Sequence, residues 1–228
     1  NFVFLTPIDI TASILGLGIL FVLAYIRTNQ ANKRGDDYYK YYTYAFAFKA
    51  LFTMFNALFY IIVYHGGGDS IGFWDGAVKL NNLFWKSPSM YFTELFAPHD
   101  SANFWRNFDG NTGYPDYRIY DEAPSYFVAK VASVISFFTF KGYILMSLIF
   151  AFIASGASWR LYELVRSYGL HKDEHLALGI LFIPSLSFWC GGISKDTIVF
   201  VCVCYFLHHL NKVMKRDGTG GIKSWIIM

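Results

Sequence analysis

The chain has 228 residues, of which 55% are hydrophobic and 21% aromatic but only 15% charged. Soluble domains carry about 25% charged residues, so the composition excludes an ordinary water-soluble globule and points to a membrane. The net charge of +3 is small and scattered, which excludes the concentrated basic face of a nucleic-acid-binding protein.

A spanning helix needs about 20 mostly apolar residues, and the chain offers five such stretches. The first is 7–26, with Pro7 at a helix start and Arg27 just past its end. The connection that follows carries Arg27, Lys33, Arg34 and Lys40. The second span is 43–64. Lys49 lies about one and a half turns inside it, near enough to snorkel to the interface. Tyr64-His65-Gly66-Gly67-Gly68-Asp69-Ser70 then turns the chain into a long aromatic loop, 65–141, with more Asp and Glu than Lys and Arg. Within it, Ser70 to Trp85 has helical spacing of apolar residues and Met90 to Phe96 is a shorter amphipathic piece. Phe104 to Tyr120 reads as an ordered irregular loop. Tyr126 to Phe140 is short and contains Lys130. If it crossed the membrane, the basic segments would divide between the two sides, so it reads as an interfacial or re-entrant helix.

The remaining spans are 142–165, 175–191 and 194–210, the last two separated by Gly191-Gly192. Arg160, Arg166 and Lys172 lie in one basic segment and Lys212, Lys215, Arg216 and Lys223 in another. The bias of Lys and Arg places these, with the segment after the first span, on the cytoplasmic side. The 65–141 loop is then extracytoplasmic. The expectation is a single all-α, polytopic transmembrane domain over 1–228, with amphipathic interfacial helices in one large external loop. Ser224 to Met228 reads as the first turn of another membrane helix, so the polypeptide is expected to continue. Cys190, Cys202 and Cys204 lie in apolar stretches and read as small packing residues rather than a metal site.

Four places carry candidate chemistry. Asp69, at the mouth of a span and beside glycines that allow a close backbone approach, reads either as a general base or metal ligand or as the cap of the next helix. His65 stands beside it. Asp121-Glu122-Ala123-Pro124 reads as a helix start, with acids favoured by the helix dipole, or as a second acidic group that holds a divalent cation with Asp69. Pro184 to Asp196 breaks a helix near the membrane. Lys195 there is suited to hold a phosphate as a point charge, and Lys195-Asp196 reads equally as an interfacial pair at a helix start.

With these residues in place, the layout from about Thr43 to Leu210 resembles the GT-C superfamily of integral-membrane glycosyltransferases. The resemblance is carried by Gly68-Asp69-Ser70-Ile71-Gly72-Phe73-Trp74 after a span and by Ala123-Pro124-Ser125-Tyr126-Phe127 at an interfacial helix. Trp159-Arg160-Leu161-Tyr162 follows at a cytoplasmic turn, and then Pro184-Ser185 leads to Lys195-Asp196-Thr197-Ile198. The chain departs from that pattern in having an extra first span and a single Asp at position 69. The resemblance implies a polyprenyl-phosphate-linked sugar as donor and Asp69 as the base or orienting group for the acceptor. Lys195, with Arg118 or Arg106, would neutralise the donor phosphate, and a mobile loop around Phe104–Tyr120 would close over the sugar. His65, Asp121, Glu122 and Asp196 are the further substrate-binding candidates. The implied setting is a bacterial cytoplasmic membrane with the active face outside, and the implied partners are membrane lipid and lipid-linked sugar. A polysaccharide repeat polymerase, and a non-catalytic subunit held with other membrane subunits, are the alternatives.

Overall fold

The chain enters its first helix through a reciprocal cap. The Thr6 hydroxyl accepts from the Asp9 N–H at 3.2 Å, the Thr6 N–H donates to the Asp9 carboxylate at 3.2 Å, and Pro7 sits where a missing N–H costs nothing. The structure is a computed structural model that describes residues 6–96, 100–169 and 172–214. These residues are helical, with no strand among them. In chain order they form α1 (Pro7–Asn32), α2 (Lys40–Ile62), α3 (Asp69–Lys86), α4 (Pro88–Phe96), α5 (Phe104–Asn107), α6 (Tyr117–Asp121), α7 (Ala123–Ser136), α8 (Tyr143–Arg166), α9 (Asp173–Ile180), α10 (Pro184–Trp189) and α11 (Lys195–Met214). Four helices are long and apolar enough to cross a membrane: α1, α2 with the 3-10 turn that precedes it, α8 and α11.

The long helices pack side by side around α8. Arg27 of α1 donates to Tyr42 of α2 at 3.0 Å, and Tyr42 stands edge-on to Trp159 of α8. At this end Tyr38, Tyr39, Tyr42, Trp159 and Tyr162 form one aromatic cluster. Trp159 and Tyr162 lie in the last two turns of α8, which ends at Arg166 against an expected 165, and both are buried. Arg27, Arg160, Arg166 and Lys212 all lie at this basic end.

The expected span over 175–191 is not one helix. α9 stops at Ile180 and α10 begins at Pro184, which lacks an N–H for the preceding turn and whose ring would clash with the carbonyl four residues back. The two pieces nonetheless traverse the bundle. Asp173 pairs with Arg166 at 2.8 Å at the basic end, and beyond α10 Lys195 pairs with Glu122 at 2.8 Å at the other. Along the way Gly191 passes so close to α2 that a methyl group in its place would overlap the Thr53 hydroxyl.

The end opposite the basic one is covered by a layer made of α3 to α7. α3 and α7 lie parallel, with Gly76 against Ala129 and the Asn81 amide donating to the Ser136 hydroxyl at 2.9 Å. The interfacial helix expected over 126–140 is α7 followed by a turn, and both its ends lie at this layer end. Glu122 meets Lys195 there, and Gly142 lies beside Asp9 at the start of α1. The layer has its own core of Leu80, Leu83, Tyr91, Phe104, Phe108, Tyr120, Tyr126 and Ala129. Inside it Glu94 is 5% exposed and accepts from Asn107 at 2.5 Å, from Tyr126 at 3.0 Å and from Tyr120 at 3.1 Å.

Lys49 does not snorkel. α2 starts at Lys40 rather than Thr43, so Lys49 is about two and a half turns inside it. It is 1% exposed, and its ammonium has no hydrogen-bond partner among the described residues. The nearest feature of the right character is the Phe200 ring, 5.2 Å from the nitrogen.

Candidate functional site

α2 ends in a turn built for close approach. His65 takes a left-handed conformation (φ 51°), which His tolerates better than most side chains, and the Gly66 N–H returns to the Tyr60 carbonyl at 3.1 Å. Gly68 has φ 83°, and a Cβ there would fall 2.9 Å from the Tyr60 ring. Only glycine lets the chain turn onto Tyr60, and that turn delivers Asp69 beside the same ring. His65, exposed on this turn, acts as a helix terminator.

Asp69 does not cap α3. It is the first helical residue, after Gly68, where the helix dipole favours its charge. The carboxylate is exposed and has no hydrogen bond or ion pair among the described residues. Asp69 and Asp196 both lie within electrostatic range of Tyr60, and Asp69 within range of Arg118. The structure therefore brings Asp69, Asp196 and Arg118 to one end of the bundle. Asp196 is exposed on the first turn of α11, and the cap of that helix is Ser194, whose hydroxyl accepts from the Thr197 N–H at 3.1 Å.

The cations are already engaged. Arg118, whose side chain is 88% exposed, pairs with Asp116 at 2.8 Å. Hydrogen bonding to Asp116 raises the guanidinium pKa and, from the other side, lowers that of the Asp116 carboxyl. Lys195 donates to Glu122 at 2.8 Å, and the other Glu122 oxygen accepts from the Ser125 hydroxyl. Lys195 first, and Ser125 second, hold the Glu122 carboxyl below its usual range. Glu122 occupies the cap position of α7 but spends its carboxylate on these two partners rather than on the helix backbone. Asp121, exposed, closes α6 next to it.

Among the described residues no group of three or more His, Cys, Asp or Glu side chains is arranged to hold a metal ion. The aromatics of 104–120 are also largely committed. Phe104, Phe108 and Tyr120 are buried in the layer core, leaving Trp105, Tyr114 and Tyr117 exposed. Asp75, six residues on from Asp69, pairs with Lys79 at 3.2 Å on its own helix.

Sequence reasoning missed three supports of this end. Tyr60 stacks on Tyr64, with ring centroids 5.4 Å apart, and forms the platform under Gly68. The Ser70 and Tyr143 hydroxyls bond at 3.0 Å, fastening the start of α3 to the top of α8. The Trp74 indole donates to the Lys141 carbonyl at 2.8 Å. Tyr60 had a sequence signal in its spacing, one helical turn before Tyr64 at a helix end. The other two are contacts across the fold. No family model matches the chain, and no curated protein or solved structure does.

Proposed function

We propose that the chain is a GT-C-like glycosyltransferase, moving a sugar from a polyprenyl-phosphate donor to an acceptor hydroxyl outside the cytoplasm. The observation that carries the reading is the gathering of Asp69, Arg118, Asp196 and the Lys195–Glu122 pair at one end of the bundle, opposite the basic end. In this reading the basic end faces the cytoplasm, as the positive-inside rule expects, and Asp69 faces the outside of a bacterial cytoplasmic membrane. Asp69 takes the proton of the acceptor hydroxyl as its oxygen bonds to the sugar C1. The bond from C1 to the phosphate oxygen breaks, and the leaving phosphate keeps the electron pair. Lys195 and Arg118 neutralise that charge, exchanging Glu122 and Asp116 for the phosphate.

The test is transfer of labelled sugar from a panel of polyprenyl-phosphate donors by protein in nanodiscs. Asp69→Asn keeps the size of the side chain and removes the base, so activity falls by about 10²–10⁴-fold with melting unchanged. Transfer near the wild-type level in Asp69→Asn overturns the assignment. A non-catalytic subunit of an envelope complex is the second reading, favoured by the engagement of both cations with carboxylates of the chain itself. It expects stable co-purification with other membrane subunits and no donor turnover.

A further inference from the structure

The basic end, remote from Asp69, holds a polar pocket of about 370 Å³ lined by Tyr38, Arg160, Glu163, Arg166, His208 and Lys212, among others. Its charges do not balance. Glu163 is the one carboxylate in the lining, and three donors take it up: Tyr39 at 2.8 Å, the Trp159 indole at 3.0 Å and Arg160 at 2.7 Å. Arg166 is paired with Asp173 at 2.8 Å, and its guanidinium lies over the Tyr38 ring at 3.8 Å. Lys212 has no carboxylate partner among the described residues. Three cations therefore face two carboxylates, and the excess charge is the flexible ammonium of Lys212.

The neutral groups in the wall point to the same class of ligand. The Asn211 carbonyl oxygen is occupied by the Tyr168 hydroxyl at 2.8 Å, which leaves the Asn211 amide N–H groups to donate. His208 lies 3.2 Å from the Arg160 carbonyl through Nδ1. A carbonyl only accepts, so Nδ1 carries the proton. The other ring nitrogen, Nε2, is buried and has no partner. A buried ring nitrogen without a partner is costly, and protonation beside a bound anion would turn it into one more donor. The pocket thus presents positive charge and N–H donors, with its one carboxylate already taken up.

We infer that this pocket is an anion site for a phosphate group, separate from the Asp69 end. Lys212 supplies the point charge, and the Asn211 amide and the free N–H groups of Arg160 supply directed hydrogen bonds. The phosphate is either a soluble one or the headgroup of an anionic lipid at that surface of the bundle. The site does not depend on the glycosyltransferase reading and would stand if Asp69→Asn left transfer intact.

Two arms test it on the purified chain. Inorganic phosphate is titrated by calorimetry in neutral detergent, and binding of phosphatidic acid is followed by native mass spectrometry after delipidation. Lys212→Gln is expected to weaken the arm that binds by at least tenfold with melting unchanged, while Lys33→Gln, at an exposed position of the same end, leaves it unchanged. Binding of inorganic phosphate alone assigns a soluble ligand, and retention of phosphatidic acid alone assigns a headgroup. Absence of binding in both arms, or binding equally reduced by Lys33→Gln and Lys212→Gln, overturns the site. His208→Phe keeps the ring and removes both nitrogens. It serves as the second variant, and unchanged affinity in it together with unchanged affinity in Lys212→Gln also overturns the site.

Discussion

Glu94 and Lys49 are both buried charges, and they are treated in opposite ways. Glu94, in the layer, is surrounded by donors: Asn107, Tyr120 and Tyr126 converge on its two oxygens. Burial first, and the Glu94 charge second, push both phenol pKa values up, so the tyrosines stay protonated and keep donating. Lys49, in the bundle, has packing on all sides and no hydrogen-bond partner. A satisfied buried network fixes a structure, whereas an unpaired buried charge only costs. The layer therefore buries its carboxylate with all its donors at hand, while α3 and α7 also share a core with α2 and α8. The bundle carries a cost at Lys49 against which the face of the Phe200 ring is only a partial offset.

The comparison breaks most visibly at Glu94. Glu94→Leu removes the acceptor shared by Asn107, Tyr120 and Tyr126, of which Tyr120 keeps the Asp100 carbonyl at 3.1 Å, and each group left unsatisfied costs about 1–3 kcal/mol. The melting temperature of the purified protein should drop sharply, with the loss centred on the layer in hydrogen exchange. Lys49→Met should move the other way. It keeps the length of the side chain and removes the buried charge, so stability should rise by on the order of 1 kcal/mol, read from the same melts. If Lys49→Met destabilises instead, the ammonium has a partner and the contrast with Glu94 disappears. If it stabilises while transfer falls, Lys49 is a functional charge held at a cost in stability.

A smaller effect separates the two regions by pH. Glu122 has a depressed pKa in the folded state, so its contribution is present above the ordinary carboxylate value and is lost as pH falls through the depressed folded one. Both partners are solvent-accessible, so the change in stability should be slight. The spectroscopic change should be clearer: a probe on α7 should loosen from α11 as the solution is acidified. In Glu122→Gln the probe should be insensitive to pH over that window.

The membrane character and the four long helices were legible because apolar length is a one-dimensional property. So was the helix after Asp69, since the spacing from Ser70 to Trp85 carries its own period. Lys49 was misplaced because three residues before Thr43, among them Tyr41 and Tyr42, extend α2 toward its start and move the lysine one turn deeper. The break between α9 and α10 was visible as Pro184, but the span was drawn through it to Gly191 and the interruption placed at the glycine pair. Glu94 was not legible at all. Its partners lie 13, 26 and 32 residues away in a segment without periodicity, and only the folded layer brings them together. At the candidate site, the acids and Lys195 were legible from their positions at helix ends. Their pairing was not, because Glu122 and Lys195 are 73 residues apart.

The Glu94 network also sets an order of events during synthesis. Its last donor, Tyr126, is made 32 residues after the carboxylate it satisfies, and α7, which carries that tyrosine, is also the partner against which α3 packs. Until α7 has left the ribosome, Glu94 lacks one of its three donors and α3 lacks the helix that Gly76 and Asn81 meet. The stretch between α2 and α8 therefore completes its packing only once α7 is out. A nascent chain arrested before Tyr126 should be cut readily by protease throughout 69–121, and one arrested after Ser136 should be protected there.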